Sequence, residues 1–109
     1  MNQNTIALVY DFDGTLTPKT MQEYTVIPRL KLNSKKFWAE IIDEAESTEG
    51  EVMMIYMRQL ITLADSMNIK ITKEEFKLMA DKIQYFKGVL NWFDNINSYI
   101  KKKHKKINL

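Results

Sequence analysis

The hydrophobic and polar positions divide the chain into one short apolar run followed by helical stripes. Residues 5–10, TIALVY, are apolar and rich in β-forming residues, with polar residues before them and DFDGT after them. Such a short run predicts a strand buried on both faces, as in a parallel sheet. Pro18 then marks a break, after which the apolar spacing is helical. The last residues, INL, are suited to begin a second strand.

Five helices are predicted after Pro18. The first covers about 20–27 and ends before Pro28, because proline removes a helical hydrogen bond. The second begins near Ser34, a residue type that commonly caps the N-terminus of a helix. Its predicted core face consists of Trp38, Ile41, Ile42 and Ala45.

The three later helices carry their own start signals. Thr48 with Glu51 and Thr72 with Glu75 have the spacing of capping boxes, in which each side chain bonds the other's backbone N–H. The fifth helix runs from about Gly88. Its predicted buried stripe consists of Val89, Trp92, Phe93, Ile96, Tyr99 and Ile100.

The composition narrows the class of protein. Hydrophobic residues make up 45% of the 109 residues, which is typical of a globular chain. The chain has no cysteine, which excludes disulfides, thiolate metal ligands and a cysteine nucleophile. The N-terminal apolar run is too short for a signal peptide or a membrane span, so we expect no membrane association and a cytoplasmic protein.

The net charge of +2 hides an uneven distribution. Five lysines lie in the tail KKKHKK at 101–106, so the remaining residues are net acidic. A basic patch can bind nucleic acid. Cations also stabilise the C-terminal end of a helix, and the tail has no aromatic residue to stack on bases. The helix-end interpretation is therefore favoured.

Two aspartates follow the predicted strand. Side chains alternate along a strand, so Asp11 and Asp13 are expected to point the same way, and Gly14 permits a positive φ. Two nearby carboxylates can hold Mg²⁺, or one can act as nucleophile and the other as general acid. The alternative is a turn with two solvated acids.

The stretch DFDGTLT, residues 11–17, resembles the first motif, D-x-D-G-T-x-T, of the haloacid dehalogenase superfamily of phosphohydrolases. The segment FKGVLNWFDNI, 86–96, is similar to that family's return helix, with Lys87 in place of its usual proline. The resemblance implies an α/β fold: a Rossmann-like core represented by its first strand and return helix, with a mainly α-helical cap. The domains would be 1–18 for the strand and catalytic loop, 19–85 for the cap and 86–109 for the return helix.

The resemblance also implies a magnesium-dependent phosphatase acting on a small phosphorylated substrate. Asp11 would attack phosphorus to form an aspartyl-phosphate, and Asp13 would act as general acid and base. The Asp11 carboxylate and the Asp13 carbonyl oxygen would bind Mg²⁺. Backbone N–H groups of Phe12, Asp13 and Gly14 would help bind the phosphate.

The family's remaining motifs, a Ser or Thr, a Lys and an acidic pair, have no counterpart in the sequence. We therefore expect an N-terminal fragment with little or no activity alone. The helical acids Asp43, Glu44, Glu46, Glu74 and Glu75 are expected to be solvated, His104 to lie at the surface, and Tyr24, Arg29 and Trp38 to be core or surface residues.

A single strand cannot form a sheet, so either a second copy or the missing C-terminal half must pair with TIALVY. Two alternatives to the phosphatase hypothesis follow from the residues. One is a non-enzymatic helical, oligomerising module, and the other is nucleic-acid binding through the tail.

Overall fold

The computed structural model describes residues 4–109. Within this range the chain forms six helices: α1 (Met21–Tyr24), α2 (Val26–Arg29), α3 (Ser34–Thr48), α4 (Val52–Ser66), α5 (Lys73–Ala80) and α6 (Val89–Lys103). None of these helices is long and apolar enough to cross a membrane. The chain divides into two compact units: a helical unit, Thr20–Ile83, and a terminal unit, which joins the residues up to Lys19 with Gln84–Leu109.

The predicted α/β fold with a Rossmann-like core is wrong, because residues 4–109 form no strand and no sheet. The predicted strands 5–10 and 107–109 meet at one isolated parallel bridge, between Thr5 and Asn108. The Ile6 N–H donates to the Asn108 carbonyl oxygen at 2.9 Å, and the Asn108 N–H donates to the Asn4 carbonyl oxygen at 2.8 Å. A strand requires a continued ladder of such bonds, and this pairing stops after one step. The predicted burial is also wrong, since Val9 is 91% exposed.

The helical unit has a core formed by the packing of α3 against α4 together with α2. A tight connection joins the two long helices, with Glu49 in the left-handed region at φ 52°. Gly50 follows, and a Cβ atom there would lie 2.9 Å from Thr48 Oγ1 and 3.0 Å from Ile55 Cδ1. The core residues are Val26, Ile27, Leu30, Phe37, Ile41, Ala45, Ile55, Leu60 and Ala64.

The predicted face of α3 is only partly correct. Ile41 and Ala45 are buried, and Trp38 is half-buried against the core. Ile42 is 48% exposed, and the core position is taken by Phe37 instead. The apolar periodicity was therefore right, but the buried stripe is centred on Phe37, Ile41 and Ala45 and does not extend to Ile42.

The helix boundaries test the predicted start signals. The capping box of Thr72 and Glu75 is confirmed at the start of α5. The box predicted for Thr48 and Glu51 is wrong, because Thr48 belongs to α3 and its Oγ1 donates to the Glu44 carbonyl oxygen at 2.7 Å.

Pro28 lies inside α2. In a helix of four residues no N–H is needed from that position, so proline is tolerated there.

The N-cap of α3 is Asn33, not Ser34 as predicted. The Asn33 side chain accepts a hydrogen bond from the Lys36 N–H at 3.0 Å. The Ser34 hydroxyl instead donates to Glu23, whose carboxylate also accepts a bond from Trp38 Nε1 at 3.1 Å. The Ser34 side chain is thus used to fasten α1 to α3 rather than to cap its own helix.

The terminal unit differs sharply from the helical unit in burial. Helix α6 forms as predicted, but none of its residues is buried, so its predicted buried stripe is wrong. Tyr10 covers part of the stripe: its hydroxyl accepts a hydrogen bond from Trp92 Nε1 at 2.6 Å, and its ring packs edge-on against Phe93 at 5.6 Å. Lys101, Lys102 and Lys103 form the last turn of α6, where cations favour the helix end.

Ile41 and Ile42 provide a matched pair for testing the core. Ile41 is 0% exposed and Ile42 is 48% exposed, one position apart on α3. We expect Ile41→Ala to lower the free energy of unfolding by about 2 to 5 kcal/mol, because it leaves a cavity. Ile42→Ala should cost under about 1 kcal/mol. Urea unfolding followed by circular dichroism measures both, and equal losses would contradict the assigned core.

Candidate functional site

The DFDGTLT stretch forms one tight turn in the terminal unit, directly after the non-helical segment 5–10. The Phe12 carbonyl oxygen accepts hydrogen bonds from the N–H groups of Thr15 at 3.2 Å, Leu16 at 2.9 Å and Thr17 at 3.3 Å. Three donors directed at a single carbonyl close the chain into a compact loop. The turn is thus fixed by local backbone hydrogen bonds.

Gly14 is required at its position by backbone conformation. Its φ is 78°, in the left-handed region that side-chain-bearing residues rarely adopt. A Cβ atom at Gly14 would have nothing within 4 Å, so the space around it is open. The glycine therefore permits the turn, and it leaves the adjacent backbone accessible.

The predicted site residues lie together in this turn. Asp11, Asp13 and Gly14 are exposed, and Phe12 is half-buried. The parallel bridge between Asp13 and Thr17 directs the Gly14 N–H at the Thr17 carbonyl oxygen, whereas the Phe12 N–H donates to no backbone carbonyl among the described residues. The turn therefore presents two carboxylates and the Phe12 backbone donor, which are the group types that bind cations and phosphate. Their catalytic, metal-binding and phosphate-binding roles stay predictions.

The segment before α6 holds the turn from one side. The Phe86 N–H donates to the Leu16 carbonyl oxygen at 3.0 Å, and the ring of Tyr85 packs edge-on against Phe12 at 6.1 Å. Sequence reasoning missed both contacts. The adjacent aromatic residues ahead of Gly88 were the available signal, but their partners are about seventy positions away.

The carboxylate pair fits part of a magnesium site. Within residues 4–109, no three Asp, Glu or His side chains are grouped so that they could hold a metal ion. Proteins commonly bind Mg²⁺ through one or two carboxylates, with water and substrate phosphate completing the shell. Asp11 and Asp13 suit that mode, since both are exposed carboxylates in one short turn.

Tyr24, Arg29 and Trp38, which the sequence analysis also considered, lie in the helical unit with structural contacts. Arg29 forms an ion pair with Glu75 at 2.7 Å, between α2 and α5. Tyr24 is buried, and its hydroxyl has no hydrogen-bond partner among the described residues. Trp38 donates to Glu23 and packs edge-on against Tyr56 at 5.5 Å.

The helical unit also contains an apolar groove of about 580 Å³. It lies between α1–α2 on one side and α4 with the start of α5 on the other. Two of its lining residues are bonded to each other, since Gln22 Nε2 donates to the Tyr56 hydroxyl at 3.2 Å. The apolar walls include Val26, Met57, Leu60, Ile61, Ile71 and Phe76.

The Arg29–Glu75 ion pair lowers the pKa of the Glu75 carboxyl. The hydrogen bond from Arg29 lowers the pKa of the Glu75 carboxyl, partial burial opposes this, and the Thr72 N–H and the Arg29 charge lower it further. A carboxyl with a lowered folded pKa adds stability that is present above its unfolded pKa. That stability is lost as the pH falls through the folded pKa.

We expect Arg29→Gln to raise the pKa of Glu75, because it removes the largest cause of the shift. The variant should also lose less stability than the parent chain between neutral and acid pH. A side-chain carboxyl titration by NMR measures the pKa, with the neighbouring exposed Glu74 as the internal control. An unchanged Glu75 titration in the variant would contradict the assigned pair.

Comparison with known proteins gives little further information. No protein-family model and no solved structure matches the chain. A curated relative, an uncharacterized protein of Borreliella burgdorferi, is 27% identical over 107 aligned residues, covering 92% of this chain. The chain spans 37% of that relative's length.

Proposed function

We propose that the turn at residues 11–17 supplies the nucleophile and the acid/base group of a magnesium-dependent phosphatase that works through an aspartyl-phosphate. The turn itself carries this proposal. It presents Asp11 and Asp13 to solvent beside open backbone at Gly14, and its sequence has seven consecutive positions in common with the D-x-D-G-T-x-T motif. The chain spans 37% of the length of the relative that it matches, which supports a role within a longer protein.

In the proposed reaction, an Asp11 carboxylate oxygen forms a bond to phosphorus while the bond to the leaving oxygen breaks. Asp13 gives its proton to that leaving oxygen. It then takes a proton from the water that attacks the aspartyl-phosphate, which releases phosphate and restores Asp11. Backbone N–H groups of Phe12, Asp13 and Gly14 help to bind the phosphoryl oxygens.

The Asp11 carboxylate and the Asp13 carbonyl oxygen would hold Mg²⁺, which when bound supplies neutralisation of phosphoryl charge. Groups from outside this chain would have to neutralise the remaining charge. Turnover by this chain alone is therefore proposed to be very low, since electrostatic stabilisation is usually the largest part of catalysis. We place this activity in the cytoplasm, on a small phosphorylated substrate.

A partner for segment 5–10 belongs to the same proposal. Val9 is 91% exposed, and Ile6 and Leu8 are also exposed, which is costly for apolar residues that remain in water. Within the described residues, only the Thr5 end of the segment pairs with another part of the chain. A further extended segment, from the rest of a longer protein or from a second copy, would cover these side chains and complete the backbone pairing.

Single-turnover labelling tests the nucleophile without requiring turnover. With Mg²⁺ and acetyl phosphate as donor, we expect the chain to gain one phosphoryl group on Asp11, located by mass spectrometry after proteolysis. Asp11→Asn should abolish the label. Asp94→Asn, which changes an exposed aspartate on α6, should leave it unchanged.

Hydrolysis of p-nitrophenyl phosphate by the same samples should stay close to the buffer rate. A chain that acquires no label, or that is labelled equally after Asp11→Asn, would contradict the proposed nucleophile. Rapid Mg²⁺-dependent hydrolysis lost on Asp11→Asn would show instead that this chain needs no further groups.

A non-enzymatic oligomerising module is the second candidate function, and the uncovered apolar residues of the terminal unit favour it. If copies pair through segment 5–10, light scattering should show a dimer that forms as concentration rises. Val9→Lys should return the chain to a monomer, because a lysine would be desolvated in the interface. Lys19→Glu, outside the segment, serves as the charge-change control. A monomer at all concentrations would exclude self-pairing.

A further inference from the structure

One residue of the terminal unit is buried where its neighbours are not. Thr17 is 0% exposed, and among residues 4–19 and 84–109 no other side chain is buried to a comparable extent. Even the apolar stripe of α6 contributes no buried residue. A polar side chain therefore occupies the most enclosed position of a unit whose large apolar residues are mostly exposed.

The N–H and the hydroxyl of Thr17 both donate hydrogen bonds, one near the start of the turn 11–17 and one just after its end. Its N–H donates to the Phe12 carbonyl oxygen at 3.3 Å, and its hydroxyl donates to the Lys19 carbonyl oxygen at 2.8 Å. The hydroxyl oxygen is also 3.4 Å from the Phe12 carbonyl oxygen. Because a threonine hydroxyl has one proton, the short bond to Lys19 is the principal one.

We infer that Thr17 is a positioning residue that holds the turn 11–17 in the shape that presents Asp11 and Asp13. Its backbone closes the turn on Phe12, and its hydroxyl fixes the chain on the far side of Pro18. The catalytic purpose of this arrangement rests on the proposed function, but the hold on the turn does not. The contacts described for its hydroxyl are with the Phe12 and Lys19 carbonyl oxygens, so Thr17 acts through the backbone.

A valine would keep the shape of Thr17 and lose the bond. A methyl group would then face the Lys19 carbonyl oxygen, and that oxygen would lose its hydrogen-bond donor. A serine would keep the donor and lose only a methyl group. Comparing Thr17→Val with Thr17→Ser therefore separates the effect of losing the hydroxyl from the effect of losing side-chain volume.

Thr25 offers a matched control in the helical unit. It is 4% exposed, and its hydroxyl donates to the Met21 carbonyl oxygen at 2.8 Å. Thr25→Val makes the same chemical change at a buried threonine bonded to a backbone carbonyl. A general loss of stability should follow both valine variants, whereas a change in the carboxylate turn should follow only Thr17→Val.

The test uses amide hydrogen exchange by NMR on the whole chain, read at Thr15, Leu16 and Thr17. Thr17→Val should lower protection at these amides by about fivefold, as expected for loss of one hydrogen bond. Thr17→Ser and Thr25→Val should leave it near that of the parent chain. A second readout is the Mg²⁺-induced shift of the Gly14 amide, which Thr17→Val should weaken and Thr17→Ser should retain.

Unchanged protection at all three amides in Thr17→Val would overturn the inference, as would equal loss in Thr25→Val. Loss in Thr17→Ser as great as in Thr17→Val would show that volume, not the hydroxyl, holds the turn. If the parent chain shows no Mg²⁺-induced shift while Thr17→Val still loses protection, the proposed magnesium chemistry fails and the positioning role stands.

Discussion

Backbone pairing is the constraint on which the terminal unit depends. An extended segment gains stability only from a continued ladder of hydrogen bonds with neighbours, and segment 5–10 has a single bridge, at Thr5. Without a ladder the segment forms no strand, and its apolar side chains stay in water. Val9 is 91% exposed, and the stripe of α6 likewise contains no buried residue.

The helical unit meets no such constraint, because helices satisfy their backbone groups internally. Its two long helices can therefore pack around Ile41 and Leu60 without help from other chains. Polar contacts fasten the short helices to this core: Ser34 and Trp38 both bond Glu23 of α1, and Arg29 of α2 pairs with Glu75 of α5. The helical unit thus buries its apolar residues in a core of its own, whereas most large apolar residues of the terminal unit stay exposed.

This difference explains what the sequence could predict. Features that depend on neighbours in sequence were predictable: the α5 capping box of Thr72 and Glu75, the helical spacing of α6 and the carboxylate turn. The burial of individual residues was not predictable, because it depends on which other parts of the chain cover a helix face. The stripe of α6 has the right period for a core helix, but too little of the chain packs against it. The capping box expected at Thr48 failed because the chain stays helical through Thr48 and turns at Glu49, whose backbone is left-handed.

Presenting the proposed nucleophile and catalysing the proposed reaction depend on different interactions. The hydrogen bonds that close the turn itself span only two to five residues and involve the Phe12 carbonyl and Thr17. Such local bonds can form the turn without a completed sheet, so the carboxylates can be presented before the rest of a site exists. Charge stabilisation at phosphorus needs cationic and metal-binding groups placed by distant parts of a fold. In the proposed function, the turn supplies a preformed nucleophile, while the groups that would speed the reaction come from outside this chain.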